Sequence, residues 1–151
     1  MARWKIKNVS MKGVAMAVPE NVVKTSDFDF FSQEEAEVFD NTVGIRKRHI
    51  APDNMCASDM CQAAAEKLLE ELGWERDSID VLLFESVTGD YRTPPTSCIL
   101  QDRLALSENC FCMDIPMGCC GCMYAITVAG NLLTTGNVKR ALLLIGDTAL
   151  R

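Results

Sequence analysis

The chain lacks any stretch that would export it. Its start, MARWKIKNVSMKG, alternates basic and apolar residues and offers no signal-peptide apolar region. Eight cysteines would suggest a disulfide framework in a secreted protein. Without an export signal they read as free thiols in a reducing, cytoplasmic setting. Net positive charge is lacking too: the formal charge of −6 at pH 7 argues against bulk binding to nucleic acid or to an anionic membrane. Arg46, Lys47, Arg48 and His49 form a local basic cluster, either a solvated loop or a face for an acidic partner. Repeats, low-complexity tracts and linkers are absent, so the 151 residues read as one domain, long enough to bury about two-thirds of its unfolded surface.

Charge is missing altogether between Asp114 and Lys139, in DIPMGCCGCMYAITVAGNLLTTGNVK, and a segment of that kind must be buried. A transmembrane helix is disfavoured, because Pro116, Gly118, Gly121, Gly130 and Gly136 interrupt the run. The run opens with a β-like stretch from Phe111 to Ile115 and takes on helical composition from about Cys122 to Thr135. A strand that enters a helix through a tight, small-residue elbow exposes a side chain at the helix N-terminus. Cys119, Cys120 and Cys122 crowd that elbow, and one of them is a candidate nucleophile; the alternative is that they are small buried hydrophobes. A metal site built from Cys110, Cys112, Cys119, Cys120 and Cys122 is disfavoured. Structural zinc takes paired knuckles on polar turns, and these thiols lie in an apolar strand and helix.

Apolar periodicities of strand and helix length alternate along the whole chain, which means α/β. A first strand is expected from Ile6 to Val18. Ser32 caps a short helix, with Glu35 placed for a capping box, and a loop spans residues 41–50. A second helix runs from about Ser58 to Leu72, with Met60, Ala64, Leu68 and Leu72 on one face and Gly73 as its stop. The sequence IDVLLFE, Ile79 to Glu85, has the continuous apolar character of a strand covered on both faces, which favours a parallel sheet. The loop from Ser86 to Pro95 then lies at the carboxyl end of that strand, the edge where open α/β sheets bind ligands. A helix from about Thr96 to Leu104 and a last buried strand, Ala141 to Ile145, complete the pattern. The chain ends just beyond that strand without a closing element, as a truncated chain would.

Taken in order, VPENVVKTSDF (Val18 to Phe28), VGIRKRHIAPDN (Val43 to Asn54), Pro94-Pro95, LQDRLAL (Leu100 to Leu106), MDIPMGCCGCMYAI (Met113 to Ile126) and LLLIGDTALR (Leu142 to Arg151) resemble the first half of ketoacyl-acyl-carrier-protein synthase III and its relatives in the thiolase superfamily. The resemblance covers nearly the whole chain. It implies a thiolase-like half: a layered α/β/α arrangement with a mostly parallel mixed sheet and a buried central helix. The family's D-x-x-x-x-C-x-G context, counted from Asp114 to Gly121, places its nucleophile at Cys119. The implied reaction is a decarboxylative Claisen condensation, in which an acyl group passes to the cysteine and a malonyl-type thioester loses carbon dioxide to give the attacking carbon.

The resemblance further implies substrate-binding roles for Thr93, Arg46 and Arg151, with acyl carrier protein and an acyl thioester as partners, acyl-coenzyme A included. It also implies a homodimer paired through the strand before the nucleophile. No cofactor and no metal are expected, and no nucleic-acid or membrane partner. The family's His and Asn donors belong to its second half, and this chain has a single histidine, His49, in the basic loop. Turnover by these residues alone is therefore not expected, and a stand-alone half acting as a dimerisation or binding module is the alternative. The Trp and Arg that hold adenine in coenzyme A-primed relatives fall on about Val38 and Thr42, so that grip is absent here. The usual Thr before the glycine of the basic loop is Val43.

Overall fold

The computed structural model describes residues 5–149 and divides into two compact units. Of the described residues, the larger takes in 5–17 and 56–147, and the smaller 18–55 and 148–149. Arg151, one of the expected substrate-binding residues, lies outside the described residues.

The larger unit is organised on β3 (Val81–Glu85), all five residues of which are buried. It pairs in parallel with β4 (Phe111–Ile115) on one side and with β5 (Ala141–Ile145) on the other, giving the order β4-β3-β5. Two layers of helix account for the absence of a polar face on β3. Leu82 and Phe84 point into a cluster with Ala57, Cys61, Ala65 and Leu69 of α2 (Ala57–Leu72) and with Leu100 of α3 (Thr96–Arg103). Val81 and Leu83 pack on the opposite side against Ala125 and Ala129 of α4 (Gly121–Leu133). Each of the buried Val, Leu and Phe side chains stabilises the fold by about 1.5–3 kcal/mol.

Three expectations need correction here. Residues 6–18 carry no strand. They have no ladder partner among the described residues, and Ile6 lies against Gly130 and Gly13 against Leu68 and Leu72. The fully buried stripe of α2 is Ala57, Cys61, Ala65 and Leu69; Met60, Ala64, Leu68 and Leu72 form the adjoining, half-buried stripe that the amino-terminal segment overlies. The uncharged run is buried along one face and not all round, because Met123 and Tyr124 of α4 are 64% and 52% exposed.

Helix ends follow local chemistry. Gly73 adopts φ 60°, a left-handed conformation that costs glycine little, and closes α2. The start of α3 follows Pro95 and has no cap from its own segment. Asp114 of β4 supplies one, its two carboxylate oxygens accepting from Thr96 N at 2.7 Å and Ser97 N at 2.8 Å. This bridge ties α3 to the strand that leads into the cysteine elbow.

In the smaller unit, α1 (Gln33–Val43) begins with the expected capping box. Glu35 N donates to Ser32 Oγ at 3.2 Å, and Ser32 N donates to a Glu35 carboxylate oxygen at 2.9 Å. The helix runs three residues into the expected loop and stops at Gly44, φ 79°. Three residues of the basic cluster are likewise not loop: β2 (Lys47–His49) pairs antiparallel with β1 (Val22–Lys24), and Arg46 precedes the strand. Strand alternation divides the four residues. Arg48 turns inward, lies over the Phe39 ring at 5.3 Å from its centroid and donates to Thr25 Oγ1 at 2.9 Å. His49 Nδ1 contacts the Pro19 carbonyl, while Arg46 and Lys47 are exposed.

Candidate active site

The elbow between β4 and α4 is closed by the backbone. Met117 N donates to Ile115 O at 2.9 Å, and Gly121 N donates to Gly118 O at 2.7 Å. Cys120, φ −88° and ψ −9°, is the N-cap residue of α4, and no side chain caps the helix. Cys119 is therefore held one residue before an uncapped N-terminus, where the helix dipole and backbone N–H groups favour a negative charge. It is exposed, as is Cys120, while Cys122 is half-buried.

The turn is tight without strain. The positive-φ positions among the described residues, Asn8, Ala105, Gly44, Gly73 and Gly136, all lie elsewhere. Gly118 is not required by space, since a Cβ there would meet nothing within 4 Å. Gly121 is required. A Cβ at that position would collide with the Glu85 carboxyl and would sit 2.6 Å even from its Cγ.

Three of the other cysteines are chemically quiet. Burial pushes the Cys61 thiol up to about 12, with Asp90, Asp147 and Glu85 adding to the effect. Burial likewise pushes Cys112 up to about 12, helped by Cys110 and Cys98, and raises Cys110. Such thiols hold their protons at neutral pH and are poor nucleophiles. Among the described residues no group of three or more His, Cys, Asp and Glu side chains could hold a metal ion. No helix among them is long and apolar enough to cross a membrane.

The carboxyl end of the sheet carries three acidic groups. Asp147, just beyond β5, accepts from Ser86 Oγ and Val87 N, both at 2.8 Å, and from Thr88 N at 3.2 Å. Its burial pushes the carboxyl up, but these hydrogen bonds outweigh burial and hold it below the usual range. Asp90 accepts from Ser58 Oγ at 2.6 Å. Glu85, at the end of β3, is 3% exposed, and its Oε1 has no hydrogen-bond partner. Burial raises its carboxyl above the ordinary value, and the Asp147 carboxylate pushes the same way.

Sequence reasoning passed over Glu85, although a signal was present: one carboxylate ends a run of residues otherwise suited to burial on both faces. Thr93, on the exposed loop after β3, belongs to the same unit as Cys119. Arg46 belongs to the smaller unit, where it lines a depression with Gln33, Glu37 and Asp40.

No family profile matches the chain. Individual proteins do: it is 32% identical over 143 residues to the beta-ketoacyl-[acyl-carrier-protein] synthase III of Clostridium perfringens, covering 95% of this chain and 44% of that protein. Its counterpart from Geobacillus kaustophilus is 35% identical over 135 residues, covering 89% of this chain and 43% of the other. The chain is homologous to the amino-terminal half of beta-ketoacyl-acyl-carrier-protein synthase III. Solved structures agree. The 3-oxoacyl-(acyl-carrier protein) synthase of Burkholderia xenovorans superposes with a TM-score of 0.79 at 38% identity, over 87% of this chain and 40% of that one. Xanthomonas campestris OleA gives 0.84 at 26% identity, over 95% and 44%. The fold is thus thiolase-like, and the chain matches synthase III over the part of that protein it spans. It spans less than half the length of these synthase III relatives.

Proposed function

We propose that this chain is the nucleophile-bearing half of an acyltransferase that condenses an acyl thioester with malonyl-acyl carrier protein, and that Cys119 carries the acyl group. The observation behind this reading is an exposed thiol one residue before an uncapped helix N-terminus, in a protein whose Cys61, Cys110 and Cys112 are held protonated by burial. Attack by the Cys119 thiolate on a thioester carbonyl forms the new carbon–sulfur bond and expels the carrier thiolate, which takes up a proton. Backbone N–H groups at the start of α4 suit the oxyanion that develops. Thr93 and Arg46 are assigned to substrate binding with Arg151, in a cytoplasmic enzyme of fatty-acid or related lipid and polyketide synthesis.

Decarboxylation needs donors to the malonyl thioester carbonyl, the role of the His and Asn in the family's second half. We therefore expect the 151 residues alone to give no condensation product from malonyl-acyl carrier protein and an acyl thioester, and a protein continuing through that half to give it. Turnover by the 151-residue chain would overturn the assignment of the missing donors. A non-catalytic binding half is the competing reading; it gains if the reading frame stops after Arg151.

A homodimer formed through β4 belongs to the same proposal. The strand lies at one edge of the described sheet, and Phe111 is 48% exposed. An unpaired edge offers a row of backbone groups to a second copy. Sedimentation at micromolar concentration is expected to show a dimer; a monomer would remove the strand-pairing assignment.

A further inference from the structure

Glu85 has no counterpart in the roles described so far, yet its carboxyl occupies the space directly beneath the nucleophile elbow. It is buried, its Oε1 is unpartnered, and it lies against Gly121 so closely that no other residue type fits there. Gly121 is the first residue of α4 and stands two positions after Cys119. A buried acidic group without a partner is costly to retain for stability alone. We propose that Glu85 is a positioning residue for the Cys119 thiol, its carboxyl controlling how much of the thiolate that helix N-terminus supports. This inference rests on the reading of Cys119 as the nucleophile.

The helix end favours one negative charge, and two groups compete for it. When Glu85 is protonated, the dipole and the backbone N–H groups serve the thiolate unopposed. An ionised Glu85 sets a like charge beside the same helix turn, in a buried place that salt screens poorly, and the thiol holds its proton more firmly. The groups facing Glu85 reinforce the competition. Asp147 acts on it from beyond β5, and Cys61 of α2 shares the same field. Its register neighbours Ile115 on β4 and Ile145 on β5 are apolar, and α4 meets its carboxyl at Gly121, the first residue of the helix. Among the described residues no cation forms an ion pair with it. Burial keeps Glu85 protonated to higher pH than an ordinary glutamate.

The test is the rate of alkylation by iodoacetamide as a function of pH, read at the Cys119 peptide by mass spectrometry in the wild-type chain and in Glu85→Gln. Each event forms a thioether at Sγ, releases iodide and leaves the thiol proton to the buffer. Glutamine keeps the size and removes the charge, so the variant's profile is expected to shift to lower pH, with a severalfold faster rate near neutrality; one pKa unit is tenfold in thiolate where the thiol is mostly protonated. Superimposable profiles would overturn the proposal. If Glu85→Gln does not fold, the wild-type profile decides: a coupled pair spreads it beyond one ionisation, and a single ionisation curve counts against Glu85. Because the Cys119 peptide is followed whatever its rank among the thiols, a different first-labelled cysteine would defeat the nucleophile reading and leave the Glu85 result to stand or fall by itself.

Discussion

Gly121→Ala is expected to destabilise the larger unit by roughly 2–3 kcal/mol, at the upper end of what overpacking costs. The added methyl group has nowhere to go. It meets the Glu85 carboxyl, and that side chain is itself enclosed at 3% exposure, so relief requires β3 or the first turn of α4 to move. Denaturant midpoints at constant slope would measure the loss. The same geometry predicts strong coupling. Removal of the carboxyl in Glu85→Ala opens the space that the new methyl needs, so the double variant should recover about 1–3 kcal/mol relative to the sum of the single changes. Additive effects would mean that the contact between position 85 and position 121 is not what makes glycine necessary.

Cys119→Ala has the largest expected effect on function. In a protein that carries both halves, loss of the attacking sulfur should reduce acyl transfer by roughly four orders of magnitude or more, as removal of a covalent nucleophile does elsewhere. Cys120→Ala should keep most of the activity. Cys120 is the competitor that matters, being adjacent, exposed and itself the N-cap of α4. The two differ in spacing from Asp114, whose carboxylate caps α3, and in distance from Gly121, whose missing side chain admits Glu85. A Cys120→Ala variant as inactive as Cys119→Ala would leave the choice between them to the site of acylation.

Much of the fold was legible in the sequence where a single physical signal dominated. The limits of β4 and β5 coincide with their apolar runs, Ser32 and Glu35 start α1 by a capping box, and Gly73 ends α2 in the left-handed conformation that its position suggested. The errors arose where structure depends on a partner. Residues 6–18 have strand composition, but a strand also needs a neighbour to complete its ladder, and composition does not reveal whether one is present. The burial of α4 was over-read for the same reason: absence of charge shows that a face can be covered, and here the sheet covers Ala125 and Ala129 and the amino-terminal segment covers Gly130, while Met123 and Tyr124 stay exposed. In α2 the period was right and the phase was one residue off, since two adjacent stripes are both apolar. At the site, the elbow and its thiols could be found from small residues between a strand and a helix. Glu85 could not be placed under that elbow until the register of β3 beside β4 was known.

The claim on which the rest depends is that Cys119 is the reactive thiol. Limiting iodoacetamide near neutral pH, followed by peptide mapping, measures it directly. Cys119 is expected to be labelled first, with Cys61, Cys110 and Cys112 protected until the chain unfolds, because burial keeps all three protonated. Labelling of Cys120 or Cys122 ahead of Cys119 would contradict the account.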